Sequence, residues 1–198
     1  MHFGTKLVHN RLYKTFILII ITAGVSVGTM LDTSAETKPS PEYLIKAAFL
    51  FNFTKFVEWP AESFKNDLSP FNLCILGADP FGPALDTIKD KTVKGRQLKI
   101  RRVNKVNDME GCHILFISAS EKENLKHILN FARNSNILTV SEIEGFAQLG
   151  GIINFIIIDK KVQFEINPDA AQHSKLKISS QLLKLAKIVT SEPKKEKE

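Results

Sequence analysis

The chain has 198 residues, 43% of them apolar, enough for one hydrophobic core and little for a second domain. Its 27 lysines and arginines against 21 acids give a formal charge of +6, but they form no dense basic run, which argues against nucleic-acid binding. With two cysteines and no CxxC, HExxH or Cys/His cluster, the sequence offers no ligand set for a metal.

Residues 1–35 have the layout of an export signal. Lys6, Arg11 and Lys14 precede a mostly apolar stretch from Thr15 to Leu31, and Thr33 and Ala35 are small enough for a peptidase site, so cleavage is expected after Ala35. The alternative is an uncleaved inner-membrane anchor, for which the apolar stretch lies at the lower edge of a bilayer span. Three bases and Asp32 leave with the signal, reducing the charge to +4 on an exported domain spanning 36–190. Residues 191–198, containing "KKEKE", read as a disordered charged tail.

Ser40-Pro41-Glu42 predicts a helix start, with Ser40 capping and Pro41 at the first turn. Periodicity puts Leu44, Ala47, Ala48 and Phe51 toward the core, and leaves Phe49, Phe53 and Phe56, with Trp59 at the exit, as an aromatic arc wider than one core contact needs. These four are the candidate interface, because aromatics are enriched in interface cores. Burial within the protomer is the competing expectation for them.

"FNLCILG" predicts a buried strand, and "ADPFGPALDTI" a turn and helix capped by Asp79. "QLKIRRV" and "CHILFIS" are the next strands; Ser120 and Glu123 then have capping-box spacing before a helix over Leu125–Asn134. "NILTVSE" is a fourth strand, after which Ser141 and Glu144 repeat the spacing and predict a short helix around Phe146. "IINFIIID" and "VQFEIN" read as an antiparallel hairpin, and "SQLLKLAKIV" as a closing helix. The fold class is α/β: a single layered domain with a largely parallel sheet of about six strands, helices on both faces and an antiparallel edge hairpin.

Ligands of such sheets favour the crevice at the carboxyl ends of the strands, which points to Asp79, Ser118, Ser120, Ser141 and Glu142; helix capping accounts for the same residues. "GADPFG" lacks the remaining glycines of a dinucleotide loop, no Gly-x-Ser-x-Gly elbow is present, and no cofactor or catalytic residue is indicated. His113 follows Cys112 in a strand, so their side chains should face opposite ways, and a structurally satisfied histidine is expected. In strand order 2-1-3-4-5, Cys74 and Cys112 lie on neighbouring strands, so either a disulfide or two reduced buried thiols is compatible with the sequence.

Taken in order, "YLIKAAFLFNFTKFVEWP", "LCILGADPFG", "VKGRQLKIRRV", "CHILFIS", "ILTVSEIEGFAQLGGIINF", "VQFEINPDAA" and "LKISSQLLKLA" resemble the YfiR-like periplasmic proteins, from about Tyr43 to Ala186. The resemblance implies a dimeric, noncatalytic periplasmic regulator. Its partner would be the periplasmic part of an inner-membrane diguanylate cyclase, which it represses, lowering cyclic di-GMP and biofilm formation. It also makes a Cys74–Cys112 bridge more credible, although the chain lacks a further cysteine pair found in some members. A periplasmic small-ligand sensor using the strand-end crevice is the alternative.

Overall fold

The computed structural model describes residues 38–191. The expected export signal and all but the first residue of the charged tail lie outside the described residues. Among the described residues no helix is long and apolar enough to cross a membrane.

The first helix, α1 (Pro41–Phe56), starts as expected at Pro41, but the Ser40 hydroxyl makes no capping bond. Its buried stripe is Lys46, Ala47, Leu50, Phe53 and Thr54, turned about one residue from the expected face, and Ala48 is exposed. Apolar residues surround most of this helix, so their spacing carries little directional information. Phe53, expected in the outward arc, is instead completely buried against Phe155 and Phe164, with ring centroids 6.0 and 5.2 Å away.

The chain then forms β1 (Val57–Glu58), β2 (Phe71–Leu76), β3 (Thr92–Val93), β4 (Arg96–Val103), β5 (Ile114–Ile117), α2 (Leu125–Ala132) and β6 (Leu138–Ser141). It continues through β7 (Ile153–Ile158), β8 (Lys161–Ile166), α3 (Pro168–His173), β9 (Lys177–Ile178), α4 (Ser180–Leu183) and β10 (Lys187–Ile188). The main sheet runs β10-β8-β7-β6-β5-β2-β4-β3, and β1 pairs with β9 separately. Strands β4, β2, β5, β6 and β7 are mutually parallel; β8 returns antiparallel to β7. The mixed α/β class with its edge hairpin holds, with β3 and β10 added at the margins.

Three expected helices differ. The Asp79 segment winds only into a 3-10 turn over Gly82–Thr87. Around Phe146 the chain makes turns rather than a helix, and "SQLLKLAKIV" stops helical winding after Leu183 to place Lys187–Ile188 beside β8.

Alternation along the strands sends neighbours to opposite faces. Leu73, Ile75, Ile114 and Phe116 join α1, α3 and α4 in one core, whereas Cys74, Leu76, Leu115 and Ile117 join α2 in the other. The β7–β8 hairpin closes through Asp159 and Lys160, both at positive φ (49° and 61°), the conformation of a type I′ turn whose twist matches the flanking strands.

Candidate functional site at the carboxyl ends of the strands

Two crevices were available at this end of the sheet, and they are built differently. The first lies where strand order reverses, between β2 and β5. The Asp79 carboxylate accepts the backbone N–H groups of Phe81 and Gly82 at 2.8 and 3.3 Å and pairs with the Arg102 guanidinium at 2.7 Å. Ser118 accepts from the Ser120 amide, and the Ser120 hydroxyl accepts from Ala78 N–H at 3.0 Å. Gly77, at φ +85°, brings the chain so close to Ser120 that a Cβ would lie 2.4 Å from its hydroxyl oxygen. These polar groups are spent on holding loops and helix ends.

The second crevice opens between β6 and β7. The Ser141 hydroxyl donates to the Ile117 carbonyl at 2.7 Å and accepts from Ile143 N–H at 3.2 Å, turning the chain out of the sheet. Strand pairing therefore stops at Val140↔Ile153 and Ser141↔Asn154, while β7 runs on to Ile158. The gap is an open cleft of about 970 Å³. Glu42, Tyr43 and Lys46 of α1 form one wall with Glu142; Glu144, Gln148 and Leu149 form the other, and Asn154–Ile157 the floor.

Lys46 organises the first wall. It is only 3% exposed, and its ammonium is held between the carboxylates of Glu42 and Glu142. The Tyr43 hydroxyl donates to Glu142 Oε1 at 3.1 Å, and the same ammonium lies 4.7 Å from the Tyr43 ring centroid. Burial first, and then the charge and hydrogen bond of Glu142, push the Tyr43 phenol up to about 12. Deeper in the cleft, burial opposes ionisation of Glu165, but Lys187 at 2.9 Å and neighbouring amides outweigh it and hold its carboxyl below the usual value. The Asn154 amide lies between Glu165 and the carbonyls of Ser141 and Ile143, so its NH2 serves one side or the other according to its orientation.

Elsewhere, Cys74 and Cys112 form a disulfide, with Cα atoms 5.9 Å apart, in the core on the α2 side and not in the cleft. His113 points to the other face. Its Nδ1 accepts from Asn72 N–H at 3.0 Å, which leaves the proton on Nε2, where it is donated to the Ser63 carbonyl at 3.1 Å. The ring is stacked between Phe64 and Phe71, with centroids 4.4 and 4.8 Å away. Burial, partly offset by the Ser63 carbonyl and reinforced by Arg96, lowers its pKa to about 4. This histidine is structural, as its place in the strand suggests.

The pattern of the YfiR/HmsC-like family matches residues 43–187, from α1 to β10. The chain belongs to the YfiR/HmsC-like family. No curated protein matches it. The YfiR/HmsC-like proteins are periplasmic and regulatory rather than catalytic, and membership supports a role in diguanylate cyclase signalling with a membrane cyclase as partner.

In this YfiR/HmsC-like domain the candidate interface residues divide. Phe49 packs on Phe164 at 5.4 Å, and Trp59 donates its indole N–H to the His113 carbonyl and meets Phe71 edge-on at 4.9 Å. Phe49, Phe56 and Trp59 keep part of their surface exposed, whereas Phe53 has none. Of the crevice candidates only Glu142 lines the cleft. Sequence reasoning missed Tyr43 and Lys46, which Glu142 reaches from 99 and 96 residues away. The one available signal was a lysine placed among apolar helix residues.

Proposed function

We propose that this is an exported regulator that binds the periplasmic part of an inner-membrane diguanylate cyclase and holds it in its inactive state. Repression then follows from tighter binding to that state, since a partner shifts an equilibrium only by its differential affinity. Cyclic di-GMP and biofilm formation fall as a result. The observation that carries this reading is the family match across nearly all the described elements. In this reading residues 1–35 direct export, 36–190 form the regulatory domain, and 191–198 form a charged tail.

For docking and for homodimer formation, the proposed surface is the outer side of α1. Ile45, 48% exposed, Phe49 and Phe56 recur at helical spacing along it, with Trp59 beyond the end. Phe53 belongs to the core and is not part of this surface. The reading as a small-ligand sensor is weakened because Asp79, Ser118 and Ser120, expected to face a ligand, are engaged in loop and helix-end contacts.

Deleting the gene in the native host should raise cyclic di-GMP and attached growth, and restoring the protein should reverse both. Unchanged cyclic di-GMP in a host that makes the cyclase would overturn the proposal. Replacing Ile45 with Glu in the restored protein should leave folding intact while weakening repression.

A further inference from the structure

The floor of the β6/β7 cleft is backbone as well as side chain. The two-residue turn makes Ile158 and Lys161 a hydrogen-bonded pair. Antiparallel alternation then directs the backbone groups of Asn154, Ile156 and Ile158 toward β8, and those of Phe155 and Ile157 the opposite way. On that opposite side β6 has ended, its last partner being Asn154. Among the described residues, no strand lies beside Ile157 on that side and no hydrogen bond from a turn, loop or side chain reaches it. Ile157 is 52% and Ile158 39% exposed, so this inner edge of the sheet is apolar and open.

The other edges are managed differently. The outer strands β3 and β10 are only two residues long, which blunts them against pairing with another chain, and they leave residues 98–103 of β4 and 161–164 of β8 without an outer strand but also without enclosing walls like those of the cleft. The open inner edge is instead set between two walls that can receive side chains pointing to either face of an added strand. The α1 wall is filled by ion pairs: Glu42 and Glu142 with Lys46. On the opposite wall Glu144 is exposed and enters no ion pair among the described residues, next to Leu149, which is 60% exposed. A basic domain thus carries an acidic recess beside an unpaired strand edge.

We propose that this cleft is a strand-addition site: an extended segment of a partner protein pairs with β7 at Ile157, in the place β6 vacates, and sets a lysine or arginine against Glu144. Backbone hydrogen bonds to the edge supply the affinity, and the walls select side chains at alternate positions. The inference does not rest on the cyclase reading, and it concerns a surface distinct from the outer side of α1.

The test uses a capped peptide in which valine and threonine alternate around a central lysine, and a second with glutamate in that place. Titrated into the isotope-labelled protein, the lysine peptide should slow hydrogen exchange at the Ile157 amide and shift the β7 resonances. It should bind up to about fivefold more tightly than the glutamate peptide, the range of one exposed ion pair. Glu144→Lys should reverse that preference. Ile157→Pro should abolish binding while preserving the fold, because the lost N–H faces away from β8 and proline is tolerated on an open edge. Absence of protection at Ile157 with either peptide, or equal binding by the wild type and a folded Ile157→Pro protein, would overturn the proposal. Should Ile157→Pro fail to fold, an unreversed charge preference in Glu144→Lys overturns it as well. A missing rise in cyclic di-GMP on gene deletion bears only on the cyclase reading.

Discussion

The two faces of the sheet are held by different means. On the α1 face, rings brought from distant segments meet: Phe53 with Phe155 and Phe164, Phe81 with Phe116, and His113 with Phe64 and Phe71. On the α2 face an eight-residue helix lays Leu125, Ile128 and Leu129 on aliphatic strand residues, and a disulfide ties β2 to the start of β5. Cys112 and His113 are adjacent, yet each serves a different face. The long helix closes its side with packed rings, whereas on the side of the short helix an aliphatic core is supplemented by a covalent tie.

Phe53→Ala should give the largest loss, about 4 kcal/mol, as expected for emptying a fully buried aromatic site. Replacing both cysteines by alanine should cost about 3 to 4 kcal/mol, from the unfolded-chain entropy of a loop with sequence separation 38. Both are read from urea unfolding. The residues sit in separate cores, so the triple variant should lose the sum to within about 0.5 kcal/mol. A larger departure would show that the faces act as one unit.

His113 sharpens the contrast through pH, because only the α1 face buries a neutral imidazole with a depressed pKa. Its folded pKa of about 4 lies below the ordinary 6.5, so between these values the unfolded chain binds more protons. Stability contributed by the neutral ring is therefore complete above pH 6.5 and is lost as pH falls toward 4, by about 3 kcal/mol. Protonation would also remove the acceptor used by Asn72 N–H. His113→Gln should flatten this part of the stability profile, and a profile with an unchanged slope would contradict the assignment.

Elements carried by short apolar runs with turn residues at their ends were legible: β2, β4, β5, β6 and the β7–β8 hairpin. The two-residue strands β3 and β10 are too short to show a period. Capping-box spacing preceded α2 as expected but failed around Phe146, and it misassigned both hydroxyls because it is local: Ser120 accepts from Ala78 N–H, and Ser141 uses its hydroxyl to turn the chain after β6. The direction of α1 was hidden because its apolar residues do not favour one side. In the cleft, Glu142 was legible as a polar strand end. Lys46 was not singled out: it stands four residues after Glu42 on the same helix, and its burial depends on Glu142 arriving from the other half of the chain.

The smallest effect concerns the point where the α1 face runs into the cleft. Glu142→Gln removes the charge facing Tyr43 and Lys46 but keeps the shape of the side chain. Lys46 is buried but retains Glu42, so the stability loss should stay below the roughly 3 kcal/mol of leaving a buried charge unpaired. The Tyr43 phenol should respond more visibly. Its pKa, now about 12, should fall toward 10 without reaching it, because burial, the largest cause of the shift, is unchanged. In the wild type the folded chain keeps this proton between 10 and 12 while the unfolded chain loses it, so stability declines as pH rises through that window. The variant should show phenolate absorbance at lower pH and a shallower decline. An unchanged titration would mean that burial alone sets the phenol's pKa and that the Glu142 contact does not organise this wall of the cleft.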